Sequence, residues 1–306
     1  MLTDTHCHLD MIPDPKIALL RAKEAGVGTI INVGTSIDAS RQSIEIAEET
    51  DSVDVYATCG IHAQEGPKDI KKYGSLDKCI DELRNMTGRH SEFISESGSN
   101  RSRNKFGMTQ VSVQDDKKRV VAIGECGMDF FLEKTNQGPA TSDDEKKDQR
   151  ELFEAQVKLA MELDLPLIIH CRNAWEETFD TISKIKDQKS KLRGVFHSWT
   201  GTLEQAKRAL DLGFYISFSG IVTFKNAGEI PEVAKMVPED RILVETDAPF
   251  LTPRRSSPIL KFQGANETNE PKNVRITAQF LADLRGVSLD EISGITTGNA
   301  KRLFRI

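Results

Sequence analysis

The sequence predicts an α/β protein built as a (β/α)₈ barrel of the TIM type. Eight short apolar runs rich in β-branched residues occur along the 306 residues, and longer amphipathic stretches separate them. Apolar strands that alternate with helices indicate a parallel sheet covered on both faces. Eight such units favour closure into a barrel, although an open doubly wound sheet produces a similar one-dimensional pattern.

The predicted strands are the eight apolar runs, at residues 2–7, 28–33, 53–59, 120–124, 167–170, 194–197, 214–218 and 242–245. Helical patterns cover residues 17–25, 40–49, 145–163, 174–186 and 203–212, and Gly213 is typical of the residue that follows a helix end. Further helical patterns at residues 274–284, 289–295 and 299–304 end the chain. We expect these last helices to pack on the outside of the barrel.

Residues 1–306 are predicted to form a single barrel domain with an insertion at about residues 86–118. The insertion contains the serine-rich stretch SESGSNRSR and delays the fourth strand. Because it follows a helical pattern and precedes a strand, it should leave the barrel at the end opposite to the active-site end. A solvated surface insertion is favoured over a basic arm that binds nucleic acid.

The net charge of −6 argues against a protein that binds long nucleic acids by a broad basic surface, but not against a nuclease. Local basic groups or bound cations could still hold a phosphate. The five cysteines form no CxxC pair, which argues against a disulfide framework or a thiolate zinc site. With neither a signal-peptide pattern nor a membrane-spanning apolar run, the sequence predicts a cytosolic protein, or a nuclear one in a eukaryote.

The first strand ends in the motif Asp4-Thr5-His6-Cys7-His8. Residues i and i+2 of a strand share a face, so His6 and His8 can bind one metal ion together. Asp4 lies on the same side and could hold a ligand in place by a hydrogen bond. Cys7 points to the other face, where packing is its expected role.

Other polar residues stand at the ends of later strands. Glu125 follows VVAIG, His170 ends PLIIH, His197 ends GVFH and Asp247 follows ILVET. Each alone fits a hydrogen-bonded core residue, but together with the first strand they indicate one site, because the C-terminal strand ends of a barrel meet at one mouth.

Four imidazoles and two carboxylates are too many donors for one tetrahedral ion and suit two ions that share a carboxylate. We therefore predict a site for two divalent metal ions, such as Mg, Mn or Zn. Two such ions would lower the pKa of a bridging water. Asp247 is the predicted ligand and general base, and Glu125 is the second predicted catalytic residue.

Three segments resemble the signature segments of the TatD family of metal-dependent deoxyribonucleases: LTDTHCHLD, PLIIHCRNAWEET and VPEDRILVETDAPFLTP. GECGMDFF, GVFHSWTGT, NEPKNV and TTGNAKRLF add to the resemblance, which covers the chain except residues 86–118 and 254–267. It implies a TIM-type barrel of the metal-dependent hydrolase kind that cleaves phosphodiester bonds of DNA, often from the 3′ end of single strands. It also implies that one metal binds His6, His8 and Asp247, that the second binds His170 and His197, and that Glu125 bridges them.

The chain departs from the family pattern at three places near the substrate side. Ala63 stands where the family usually has a proline after the histidine matching His62. Phe130 and Phe131 replace tyrosines, and the segment before NEP is longer and altered. These departures bear on substrate preference rather than on the metal chemistry.

Three residues are candidates for substrate binding: His62, Arg172 and Arg254. The alternatives are a capped loop histidine for His62, an ion pair with Glu176 for Arg172, and a solvated loop charge for Arg254 and Arg255. Trp199 fits stacking on a base or core packing equally well.

Three functions remain open on the sequence. The first is a two-metal 3′–5′ exonuclease whose partner is a single-stranded DNA end. The second is a D-aminoacyl-tRNA deacylase or another ester or amide hydrolase, because related barrels use the same metal site on acyl carbons. The third is a non-catalytic protein that binds metal or nucleic acid. No membrane and no obligate protein partner is indicated.

Overall fold

The computed structural model describes residues 1–88, 119–131, 140–185, 192–254 and 268–306 of the chain. In these ranges, eight strands form one parallel sheet whose strand order follows the chain. The strands are β1 (Leu2–Cys7), β2 (Val27–Asn32), β3 (Asp54–Cys59), β4 (Val120–Asp129), β5 (Leu167–Arg172), β6 (Gly194–Phe196), β7 (Tyr215–Phe218) and β8 (Ile242–Val244).

The sheet closes into a barrel because the segment after β8 also meets β1. Cys7 forms a parallel bridge with Ala248. The backbone N–H of His8 donates to the carbonyl of Ala248 at 2.7 Å, and the N–H of Asp247 donates to the carbonyl of His6 at 2.8 Å. The (β/α)₈ prediction is therefore confirmed over the open doubly wound sheet.

One strand is longer than its pattern predicts. The apolar run ends at Gly124, yet β4 continues to pair with β5 as far as Asp129 and Arg172. The pairing has an irregularity between Ile123 and Cys126. Glu125 therefore lies inside β4, at the irregularity, and not after the end of the strand. The sequence does not predict the second half of β4, because polar residues and glycines interrupt its apolar pattern.

Ten α-helices lie in the described ranges: α1 (Pro15–Glu24), α2 (Ile37–Glu49), α3 (Gly66–Tyr73), α4 (Leu76–Met86), α5 (Asp143–Glu162), α6 (Trp175–Ile185), α7 (Leu203–Asp211), α8 (Ile230–Met236), α9 (Val274–Arg285) and α10 (Leu289–Phe304). The helical pattern before the insertion corresponds to α4, whereas no sequence pattern predicts α3 or α8. Helices α3 and α8 have only 8 and 7 residues, too few to display a helical period. None of the ten helices has the length and apolar character needed to traverse a bilayer.

Neighbouring strand residues divide between two apolar clusters. Ile30 and Ile169 belong to a large cluster, whereas Ile31 and Ile168 belong to a smaller one. Successive residues of a strand point to opposite faces. The large cluster therefore lies between the sheet and the helices, and the smaller cluster fills the barrel interior.

Helix α10 closes the barrel at the N-terminal ends of the strands. Its residues Leu303 and Phe304 belong to the inner cluster. The side-chain amide of Asn299 donates to the carbonyls of Glu239 and Ile242, at the start of β8, at 2.7 Å each. The expectation that the last helices pack only on the outside is wrong for α10.

The same helix replaces the two short helices predicted for residues 289–295 and 299–304. It continues through Gly298, although a glycine inside a helix costs about 1 kcal/mol relative to alanine. Burial of the last turn in the inner cluster offsets that cost. The predicted insertion at about residues 86–118 lies outside the described residues from residue 89 onward.

We predict that Phe304→Ala lowers the free energy of unfolding by about 3–5 kcal/mol, because it opens a cavity where α10 meets the inner cluster. Urea denaturation measures the change. The matched control is Leu20→Ala, at a position on α1 that is 53% exposed, with an expected effect of about 0.5 kcal/mol or less. Equal losses in the two variants would contradict the inner position of Phe304.

Candidate metal centre

Six imidazole and carboxylate side chains meet at the mouth formed by the C-terminal ends of the strands. They are His6 in β1, His8 just after it, Glu125 in β4, His170 in β5, His197 just after β6 and Asp247 after β8. Each has a side-chain nitrogen or oxygen within 3.5 Å of another member of the group. The structure thus brings together all six residues predicted as metal ligands.

Glu125 stands at the centre of the group, and its two carboxylate oxygens face different histidines. Oε2 lies 3.5 Å from Nε2 of His6 and 3.7 Å from Nε2 of His8. Oε1 lies 3.0 Å from Nδ1 of His170 and 3.0 Å from Nε2 of His197. The carboxylate therefore divides the site into two halves.

The first half contains His6, His8 and Asp247. The Nε2 atoms of the two histidines are 3.1 Å apart. Oδ1 of Asp247 lies 3.4 Å from Nε2 of His8 and 3.7 Å from Nε2 of His6. Three donor atoms from β1 and from the segment after β8 thus surround one point.

The second half contains His170 and His197, whose Nδ1 and Nε2 atoms are 3.2 Å apart. The donor atoms of His62, Glu125 and His170 also lie within 4.8 Å of one another. Nitrogen and oxygen donors without thiolate suit divalent ions such as Zn and Mn, and Mg where fewer imidazoles take part. The donor set of both halves therefore fits metal ions.

Asp4 holds the segment that carries Asp247. Its Oδ1 accepts from the backbone N–H of Thr246 at 2.9 Å, and its Oδ2 accepts from the Thr246 hydroxyl at 2.6 Å. The Thr246 hydroxyl in turn accepts from the N–H of Ala248 at 3.2 Å. These bonds flank Asp247, whose φ of +58° is uncommon for a residue with a side chain. Burial raises the pKa of Asp4 to about 8.

Two further buried acids stand behind the histidines of the second half. Oδ2 of Asp129 lies 3.6 Å from Nε2 of His170. Oε1 of Glu245 lies 3.4 Å from Nδ1 of His197 and accepts from the N–H of Ser198 at 2.7 Å. A carboxylate behind an imidazole fixes the orientation of the ring and increases its basicity. Sequence reasoning missed both acids, although each stands at or just past a strand end.

Opposite charges within the group of six shift the pKa values of its members. Burial alone would raise the pKa of Glu125, but His197, His170 and His6 hold it well below its usual range. Against the effect of burial, Asp247 and Glu125 raise the pKa of His8 to about 9. Burial likewise opposes the ionisation of Asp247, yet the pKa of Asp247 is lowered by His8 and His6. Cation binding at this site must therefore displace protons from imidazoles.

His62 lies in a cavity of about 470 Å³ whose lining includes five of the six residues, all except His6. Burial and the neighbouring His170 lower the pKa of His62 to about 4, so its ring is neutral at pH 7. Its Nδ1 accepts from the N–H of Gln64 at 3.2 Å, which assigns the ring proton to Nε2. That nitrogen lies 3.7 Å from Oε1 of Glu125. In this tautomer, His62 offers the cavity a hydrogen-bond donor rather than a metal ligand.

Arg172 lines the same cavity but has a partner other than the one considered from the sequence. Its Nε and Nη2 atoms donate to the two oxygens of Asp129, the latter at 2.8 Å. Its guanidinium lies 4.3 Å over the ring of Phe131. Glu176 pairs instead with Arg208. Arg172 thus stands at the cavity wall with its fork turned towards a buried acid.

The two remaining candidates that the structure describes, Arg254 and Trp199, do not line the cavity. Arg254 is not among the described residues that line the cavity, and its guanidinium lies 4.5 Å over the ring of Phe224. Arg255 lies outside the described residues. Trp199 is buried against Trp175 and donates to the carbonyl of Gly201, which agrees with core packing.

A parallel barrel with imidazoles and carboxylates at its C-terminal mouth defines the class of TIM-barrel metal-dependent hydrolases. The chain belongs to the TatD family: the family model described as "TatD related DNase" matches residues 3–305. We therefore assign it as a metal-dependent hydrolase of this family.

Relatives match over nearly the whole length. The "Uncharacterized metal-dependent hydrolase YabD" of Bacillus subtilis is 36% identical over 310 residues, covering 100% of both chains. The "3'-5' ssDNA/RNA exonuclease TatD" of Shigella flexneri is 30% identical over 289 residues, covering 94% of this chain and 91% of its own. The crystal structure of the TatD homologue YjjV of Escherichia coli superposes with a TM-score of 0.75 at 28% identity, covering 100% of this chain and 98% of its own.

We predict that Thr246→Val lowers the free energy of unfolding by about 1–3 kcal/mol, because it removes the hydroxyl that donates to Oδ2 of Asp4 and accepts from the N–H of Ala248. The matched control is Thr296→Val in α10. The Thr296 hydroxyl donates only to a helix carbonyl, so we expect a smaller loss there. Guanidinium denaturation of both variants measures the difference, and equal losses would speak against the hydrogen-bond network.

Proposed function

We propose that this chain is a deoxyribonuclease that removes nucleotides from the 3′ end of single-stranded DNA with two divalent metal ions as cofactors. The observation that carries the proposal is Glu125, whose two oxygens face different histidine pairs. In this assignment His6, His8 and Asp247 would hold one ion, His170 and His197 would hold the other, and Glu125 would contribute an oxygen to each. The donor set suits Mg, Mn or Zn.

Bound at this site, two such ions would polarise the phosphodiester and lower the pKa of the attacking water. Asp247 would take up the proton of that water, since His8 and His6 keep its carboxylate ionised. The oxygen of the water forms a bond to phosphorus, the bond from phosphorus to O3′ breaks, and O3′ takes up a proton from solvent. The products are a 5′-mononucleotide and a strand shorter by one residue.

Three observations support a single-stranded end as the substrate. The Shigella flexneri relative carries the name of a 3′–5′ exonuclease of single-stranded DNA and RNA. The cavity of about 470 Å³ is of the size that takes a small ligand. A duplex would have to unpair before its end could enter, at a cost of a few kcal/mol.

The proposal gives His62, Arg172 and Arg254 roles in substrate binding. His62 donates from Nε2 to a phosphate oxygen at the centre. Arg172 meets the phosphate of the next nucleotide from the cavity wall. Arg254, which stands apart from the described cavity lining, contacts the strand outside the mouth. Because the net charge is −6, the phosphates must be bound by these few groups and the metal ions rather than by a broad basic surface.

We predict that Glu125→Gln reduces the number of tightly bound metal ions from two to about one and nearly abolishes turnover, while the fold survives. The amide is a neutral and poorer ligand, and it no longer offsets the repulsion between two cations. Elemental analysis after gel filtration measures the stoichiometry, and far-UV circular dichroism monitors the fold.

The matched control is Glu65→Gln, which removes another carboxylate from the cavity lining but none from the six ligands. It should keep two ions. Two tightly bound ions in a folded and active Glu125→Gln variant would refute the bridging assignment.

We expect the protein to release mononucleotides from an end-labelled single strand faster than from a blunt duplex under one metal condition. The same assay also includes a D-aminoacyl ester and a closed single-stranded DNA circle. The Glu125→Gln variant, prepared in the same way, measures the activity of any contaminating nuclease. Rapid cleavage of the ester without nucleotide release would favour the deacylase instead. Cleavage of the circle as fast as the linear strand would rule out the requirement for an end.

A further inference from the structure

The cavity above the metal centre has two unlike sides. One side is formed by Met11, Ile221, Phe250 and Leu251, which we call the apolar wall. The side that the strand order places across the mouth, after β3 and at the ends of β4 and β5, carries His62, Glu65, Asp129 and Arg172. Five of the six proposed metal ligands also line this cavity, so a molecule bound over them meets an apolar surface on one side and a polar surface on the other.

Phe250 is the most conspicuous member of the apolar wall. It is 51% exposed, and Met11 of the same wall is 42% exposed, although large apolar side chains are usually buried. The ring of Phe250 lies 6.1 Å from the ring of His8 at an interplanar angle of 68°. The exposed aromatic face thus begins where the first half of the metal centre ends.

The backbone of Phe250 is fixed on both sides. Its N–H donates to the carbonyl of Asp247 at 2.8 Å, and its carbonyl accepts from the side-chain amide of Asn269 at 2.6 Å. The same amide donates to the carbonyl of Thr246 at 2.9 Å. The buried Asn269 therefore ties together the two ends of the turn that carries Asp247, so the backbone of Phe250 is held at a fixed place relative to the proposed general base.

We propose that the apolar wall binds the base of the terminal nucleotide, with Phe250 as its stacking surface and Met11 as its edge. This inference rests on the proposed nuclease function and adds the orientation in which the strand binds. The base of the departing nucleotide lies on the β1–β8 side, and the phosphates of the remaining strand lie towards Arg172. Stacking on an aromatic ring accepts every base, because every base has a π-face. The wall therefore selects for a base without selecting which base.

Phe250 is accordingly a specificity-determining residue, and its effect should depend on the presence of the terminal base. Two single strands that differ only in the 3′-terminal residue, thymidine or an abasic site, are compared by kcat/KM for release of that residue. We expect the protein to prefer the thymidine end by roughly tenfold, the lower part of the range for one stacked base. In Phe250→Ala the two ends should react equally, at about the wild-type rate of the abasic strand.

Phe250→Trp should restore the preference, whereas Leu20→Ala, a matched exposed apolar position on α1, should leave it unchanged. A merely structural role of Phe250 would lower both rates by the same factor and leave the preference intact. That result would overturn the proposal.

A binding measurement separates this proposal from the nuclease function. The Mn²⁺-loaded protein is titrated with thymidine 5′-monophosphate and with deoxyribose 5-phosphate. Roughly tenfold tighter binding of the nucleotide, lost in Phe250→Ala, supports the apolar wall even if no strand is cleaved, in which case the nuclease function alone fails. Equal binding of the two ligands by a protein that does cleave strands would overturn the apolar wall and leave the nuclease function in place.

Discussion

The arrangement at the barrel mouth depends on one carboxylate placed between four imidazoles. Glu125 is buried, and an isolated buried carboxylate would be costly unless positive groups or cations faced it. Its two oxygens meet His6 and His8 on one side and His170 and His197 on the other. No short segment of chain can bring these residues together, since they belong to four strands. The closed parallel sheet is what makes the carboxylate tolerable in this position.

Three buried acids support the proposed metal ligands from behind. Asp4 holds the turn that carries Asp247, Asp129 stands behind His170, and Glu245 stands behind His197. Each acid belongs to a strand or to the residue just after one, so the strand pairing that positions the backbone also positions the side chain. Such support keeps the donor atoms converging on common points in spite of their mutual repulsion.

The strands and the six central residues could be predicted from the sequence because both produce local sequence patterns. An apolar run followed by a histidine or an acid is visible in one dimension, and the parallel order brings the strand ends together. The second half of β4 shows no such pattern, since Gly124, Glu125 and Gly127 interrupt its apolar run. The role of Glu245 was hidden because its partner His197 is 48 positions away in sequence and meets it only across the barrel mouth. The turn of Arg172 towards Asp129 likewise depends on a strand pairing that the sequence does not display.

Helix α10 closes the barrel at the N-terminal ends of the strands. Leu303 and Phe304 fill its lower end, and within the described part of the chain the cavity over the metal centre opens on the other side. A polymer consequently cannot thread through the described part of the barrel. In the proposed nuclease reaction, the released nucleotide would leave by the same opening through which the strand enters, so its departure would limit how fast successive cleavages follow one another.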